Sequence, residues 1–200
     1  MQLQVNEHYD RLAQSGNDPV NDPPMLQEYM DGWDGVPFLD AMGEIDGKDV
    51  LEIGCGSGRQ ALRVLDRGCG AYTGIDISDE TLLLASENLA AYENVTLDCC
   101  HFPLEIPEGT FDIVFSTLTF MHIQDKLRAC SAAAGLLKPG GRFVLSISKD
   151  TSDMLDMGDY TVKLYPDSPD EIRACLRASR LRLHEVIETE KAYIFVAFIS

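Results

Sequence analysis

Val50-Leu51-Glu52-Ile53-Gly54-Cys55-Gly56-Ser57-Gly58 is an apolar run that carries one carboxylate and ends in three glycines spaced every second residue. Asp49 to Ile53 reads as a buried strand. The residues after it (Arg59, Ala61, Leu62, Val64, Leu65) place apolar groups at helical spacing, so the glycines occupy a strand-to-helix turn. Such a turn needs positive φ and, where a ligand lies against it, close backbone approach, which glycine alone permits freely. The spacing is G-x-G-x-G. Arg59 stands where the third glycine of a dinucleotide fingerprint falls, which argues against a pyrophosphate. Glu52 argues the same way, because a carboxylate at the strand end repels polyphosphate and suits a ligand bearing an ammonium group.

Working outward, Ala71 to Asp76 reads as a second strand ending in an acid, and Ser78 caps a helix with Asp79 and Glu80 in its first turn. Asn94 to Leu97 makes a short third strand ending at Asp98, and Phe111 to Ser116 a fourth. Asp125 to Leu137 has helical spacing, with Lys138-Pro139-Gly140-Gly141 as its stop. Arg142 to Ser148 is the fifth strand. Ser168-Pro169-Asp170-Glu171 has the form of a capping box, and strands at Leu181 to Ile187 and Ala192 to Ile199 follow. The last is nearly all apolar, which places it between neighbours. Strands alternating with helices predict an α/β, doubly wound, mostly parallel sheet whose ligand lies at the carboxyl ends of the strands. Ile53, Asp76, Asp98 and Thr117 then share one rim.

Before this core, Val5 to Gln14 reads as an amphipathic helix and Ser15 to Pro24 as an irregular loop. A second helix carries Met25, Leu26, Tyr29 and Met30 until Gly32-Trp33-Asp34-Gly35 breaks it, and a third holds Phe38, Leu39 and Met42. This aromatic-rich preface either covers a site as a lid or packs as plain core.

At 200 residues the chain suits one domain with a sizeable core, and a net charge of −17 disfavours a nucleic-acid surface, which relies on clustered Lys and Arg. No charged-then-apolar leader or bilayer-length apolar run stands out, which predicts a cytoplasmic protein without membrane contact. The six cysteines read as free thiols, and their spacing predicts no metal site.

Five stretches in order resemble the class I S-adenosylmethionine-dependent methyltransferases from about Lys48 onward. They are Val50 to Gly58, Gly74-Ile75-Asp76-Ile77-Ser78, Asp98 to Pro103, Phe111-Asp112-Ile113-Val114, and Leu137-Lys138-Pro139-Gly140-Gly141-Arg142-Phe143. The resemblance implies a Rossmann-like seven-stranded sheet of order 3-2-1-4-5-7-6 with strand 7 antiparallel and helices on both faces. It implies one methyltransferase domain over 1–200, with a helical lid at 1–45 and a cofactor-binding core at 46–200. It further implies S-adenosylmethionine as cofactor. Gly54, Cys55, Gly56 and Gly58 would lie against its methionine part and ribose, and Glu52 would face its amino group. Asp76 would accept both ribose hydroxyls. Asp98 would take the adenine amino group, the backbone at Cys99 a ring nitrogen, and Ile77 the adenine face. Thr117 would close the rim.

Methyl transfer from a sulfonium is an in-line displacement with a neutral leaving group, so alignment and exclusion of water matter more than a dedicated base. The segment Thr117 to His122 follows strand four, where such enzymes place acceptor-facing groups. His122 is the candidate base and otherwise caps the next helix, with Tyr9 and Tyr29 as lid candidates. His184 reads as a solvated strand residue. Asn21-Asp22-Pro23-Pro24-Met25 imitates the motif of amino-group nucleic-acid methylases but lacks its aromatic residue and its place after strand four. The expected acceptor is therefore a small molecule. A cofactor-binding regulatory module without turnover and methylation of a protein are the alternatives.

Overall fold

The computed structural model describes residues 1–199. The elements run β1 (Gln2–Leu3), α1 (Val5–Gln14), a 3₁₀ turn at Pro19–Asn21, α2 (Pro24–Asp34), α3 (Val36–Ala41), β2 (Asp49–Ile53), α4 (Arg59–Leu65), β3 (Ala71–Asp76), α5 (Asp79–Asn88), β4 (Val95–Cys99) and β5 (Phe111–Thr117). There follow a 3₁₀ turn at Phe120–His122, α6 (Lys126–Gly135), β6 (Leu137–Ser148), β7 (Met154–Asp156), β8 (Thr161–Lys163), α7 (Pro169–Ala178), β9 (Leu181–Glu188) and β10 (Ala192–Ile199).

Seven strands form one sheet in the order β4-β3-β2-β5-β6-β10-β9, in which β10 alone runs antiparallel to its neighbours. This is the topology the resemblance implied, and apolar β10 sits between β6 and β9 as its composition required. Alternation along the strands feeds two apolar layers. Phe143 and Leu145 pack with Phe120, Ala129, Ile172 and Leu176 on the side of α6 and α7. Val144 and Phe115 pack with Phe38, Met42, Ala61 and Val64 on the side of α3 and α4. Each fully buried Phe, Leu, Ile, Val or Met among these contributes about 1.5–3 kcal/mol.

A second sheet, β1-β8-β7, was not foreseen: the acidic stretch Thr151 to Asp159 reads as a loop, yet Met154–Asp156 pairs with Thr161–Lys163, and β1 adds a parallel strand. Gly32 does not break α2. The helix runs to Asp34 because Gly32 meets the hairpin between β9 and β10: its carbonyl accepts from Thr189 Oγ1 (2.8 Å), and a Cβ there would fall 2.6 Å from Lys191 Cδ. The helix before β6 ends at Gly135, and Lys138 to Gly141 already belong to the strand, where Lys138 Nζ pairs with Asp49 (2.5 Å) and Asp112 (2.8 Å). Ser78 caps α5 by accepting from Thr81 N, whereas Ser168 makes no such bond at α7. No helix among the described residues is long and apolar enough to cross a membrane.

Candidate functional site

The carboxyl ends of β2, β3 and β5 open on a cavity of about 260 Å³, roofed by α1, α2 and the loop between them. Its floor is the glycine turn. Gly54 has φ +78°, and its N–H and that of Cys55 both donate to the Ile75 carbonyl (2.8 and 3.0 Å). A Cβ on Gly54 would lie 2.0 Å from Thr119 Oγ1, so the close approach of the loop after β5 demands glycine. Around Gly56 the space within 4 Å of a Cβ is open, leaving a bare backbone facing the cavity.

Asp76 ends β3 with its side chain turned to this cavity. Oδ2 accepts from Gly56 N (2.9 Å) and Oδ1 from Ser78 N (3.0 Å). The carboxylate thus shapes the glycine turn while each oxygen keeps a further lone pair. Burial pushes its pKa up, against the opposing pull of those backbone donors. Glu52 is 2% exposed and accepts from Tyr72 Oη (2.6 Å). Burial likewise raises its pKa well above the carboxylate range, so a cation arriving here stabilises the charged form. Cys55, Ile77 and Thr117 also line the cavity, and Thr117 Oγ1 is buried without a hydrogen-bond partner among the described residues.

Three cofactor candidates fall outside this lining. Gly58 is the residue before α4, packed against Leu89. Asp98 and Cys99 are exposed because β4 runs on through Cys99, pairing Asp98 with Ile75 and Cys99 with Asp76 in the ladder. The chain turns in only after them, and Cys100 and Phe102 line the cavity instead. Of the lid candidates, Tyr29 lies on the wrong face of α2. It is 57% exposed and meets Trp33 edge to face, with Lys191 Nζ 2.9 Å from its ring centre.

About 100° round the helix from that face, α2 presents Met30 and Asp34 to the cavity. Asp34, 1% exposed, pairs with Arg59, and its Oδ1 is buried with no partner among the described residues. Burial raises its pKa while Arg59 pulls it down. Sequence reading missed this pair, although an arginine directly after the glycines was visible.

Loop residues after β5 complete the wall. Leu118 adopts φ +55°, an uncommon conformation for a branched side chain, and Thr117, Thr119 and His122 all reach the cavity around it. His122 Nε2 and Tyr9 Oη are hydrogen-bonded at 2.9 Å, so α1 and the β5 loop meet over the site. Burial, helped by the charges of His8 and Lys126, pulls the His122 pKa down to about 4, which keeps the ring neutral near pH 7. Lys126 Nζ anchors the same loop through the carbonyls of Phe120 (2.5 Å) and Tyr165 (2.8 Å) and a buried pair with Asp167 (2.8 Å). His184 is exposed on β9, away from the site.

Residues 51–145 match the family described as methyltransferase domain. The chain is 30% identical over 156 residues to the ubiquinone biosynthesis O-methyltransferase of Pseudomonas aeruginosa, covering 73% of this chain and 66% of that one. It is 32% identical over 104 residues to the demethylmenaquinone methyltransferase of Tropheryma whipplei, covering 52% and 43%. The matched part thus spans under two thirds of the length of these curated relatives. Among solved structures, the magnesium protoporphyrin IX methyltransferase of Synechocystis PCC 6803 with bound S-adenosylmethionine superposes with TM-score 0.75 at 19% identity over 98% of this chain and 95% of that one. The N-methyltransferase NodS of Bradyrhizobium japonicum, in complex with S-adenosylhomocysteine, gives TM-score 0.76 at 15% identity over 98% and 99%.

Proposed function

Because the chain belongs to the class I S-adenosylmethionine-dependent methyltransferases, we propose that it transfers a methyl group from that cofactor to a small-molecule acceptor held under α1 and α2. The observation that carries this reading is the bare backbone at Gly56, bordered by the carboxylates of Glu52, Asp76 and Asp34 in one cavity. A sulfonium nucleoside amino acid fits that donor set. Asp76 suits a vicinal diol, and the carboxylates of Glu52 and Asp34 at the cavity suit an ammonium group. Arg59 suits a carboxylate, and Ile77 offers an apolar face to adenine. When bound, the cofactor supplies an electrophilic methyl carbon; the protein's part is to align the acceptor and exclude water. Residues 1–45 would serve as the lid, with Tyr9 of α1 and Met30 and Asp34 of α2 over the opening.

The acceptor side, lined by Val5, Met30, Phe102 and Ile123, is largely apolar, which favours an apolar organic molecule over a polar protein segment. Of the two curated relatives named above, one is by name an O-methyltransferase of ubiquinone biosynthesis and the other a demethylmenaquinone methyltransferase, which supports an aromatic acceptor. Calorimetry with S-adenosylhomocysteine tests the cofactor assignment: micromolar binding that is lost in Asp76→Ala is expected. No heat at millimolar concentration, with the fold intact, overturns it. Incubation with S-adenosylmethionine and a panel of catechols, phenols and thiols then reads turnover as released S-adenosylhomocysteine.

A further inference from the structure

The hydrogen bond between Tyr9 and His122 has two possible directions, and the surroundings decide between them. The phenol is a donor and an acceptor; a neutral imidazole donates from one nitrogen and accepts at the other. If Tyr9 donates to Nε2, the ring proton sits on Nδ1. If Nε2 donates to Tyr9, Nδ1 is a bare lone pair. Nδ1 is buried, with essentially no accessible surface, and has no hydrogen-bond partner among the described residues. No acceptor awaits a proton there, and a ligand in the cavity does not reach it. An N–H buried without an acceptor is the rarer and costlier arrangement.

The proton therefore belongs on Nε2, and Tyr9 Oη accepts it. Among the described residues His122 is the one hydrogen-bond partner of the Tyr9 hydroxyl. With its oxygen engaged by His122, the phenolic proton has no protein acceptor and must be met from the cavity that Tyr9 lines.

Resting on the methyltransferase reading above, we propose that Tyr9 donates this proton in a hydrogen bond to the heteroatom that receives the methyl group, with His122 as the positioning residue behind it. The site then does not deprotonate its acceptor. It takes one that arrives with its nucleophilic lone pair exposed, an acidic phenol, enol or thiol in ionised form. The acceptor contributes the electron pair of the new bond to carbon, and the pair of the broken carbon–sulfur bond stays on sulfur. No proton moves. Burial keeps the Tyr9 pKa well above 10, so the phenol retains the proton it offers.

Two measurements on the complex with S-adenosylhomocysteine test this. Long-range ¹H–¹⁵N NMR of the histidine rings at pH 7 reads the tautomer of His122, assigned by the loss of its signals in His122→Gln. The Nε2–H form is expected, and the Nδ1–H form or an imidazolium overturns the proposal. Calorimetry of Tyr9→Phe reads whether the phenolic proton serves the cofactor instead. S-adenosylhomocysteine affinity within threefold of wild type is expected, and a larger loss overturns the proposal. Failure of wild type to bind S-adenosylhomocysteine at all strikes at the methyltransferase reading, a separate outcome.

Discussion

Lowering the pH from 7 to 5 should destabilise this protein through one identifiable ring. His122 has a pKa near 6.5 when exposed in the unfolded chain and about 4 in the fold. A depressed pKa means that the unfolded state binds the proton first, so the stability this group allows is complete above pH 6.5 and is lost as pH falls towards 4. At pH 5 the unfolded chain is favoured by a factor of about 30, or ~2 kcal/mol, and at pH 7 by almost nothing. For a chain of this size that is about 4–8 °C in melting temperature. His8, also depressed by burial, adds an effect of the same sign. Glu52, Asp34 and Asp76, whose pKa values burial raises, act in the opposite sense, because the folded state holds their protons longer. The comparison is therefore made between wild type and His122→Gln, in which an amide N–H still reaches Tyr9 and the other groups cancel. Denaturant melts at pH 7 and pH 5 should show wild type losing about 2 kcal/mol more than the variant. Equal losses in the two proteins would refute the placement of a neutral, buried His122 over the site.

Other perturbations follow from the same geometry. Gly54→Ala drives a Cβ onto Thr119 at a positive φ and should cost more than about 2 kcal/mol in a thermal melt while abolishing S-adenosylhomocysteine binding. Asp34→Asn leaves Arg59 without its buried carboxylate and should weaken that binding about tenfold by calorimetry. Lys126→Ala strands Asp167 in the interior and should cost about 3–5 kcal/mol, whereas pairing Lys126→Met with Asp167→Leu should restore most of that loss.

The alternation of strands and helices was legible because its determinants are local (the spaced glycines, acids at the ends of β2 and β3, and an all-apolar last strand), and the seven-stranded order came with the family that these stretches resemble. What escaped reading depends on partners distant in sequence. The pairing of Gln2–Leu3 with Thr161–Val162 joins residues about 160 apart through strands too short to show alternation. Gly32 resembles a helix stop until Lys191 is seen lying against it. Asp98 and Cys99 missed the cavity by the two residues that β4 runs beyond Leu97. Tyr29 was misplaced because helical periodicity gives relative faces and not which one meets the sheet: Met30 and Asp34 look inward, Tyr29 and Trp33 towards the hairpin.

That last arrangement makes the turn joining β9 and β10 a calibrating stop for α2. From this turn Thr189 holds the Gly32 carbonyl and Lys191 Nζ the Tyr29 carbonyl, while Ser146 of β6 donates to the carbonyl of Trp33, so two of the three grips within five residues of the helix that carries Asp34 belong to the turn. Lengthening that turn by one residue would slide or swivel the whole helix, moving a carboxylate across the cavity mouth without touching any side chain in the cavity. Changes in ligand preference are thus accessible from the outer edge of the rim that carries the cavity, where random mutagenesis confined to the pocket would never look.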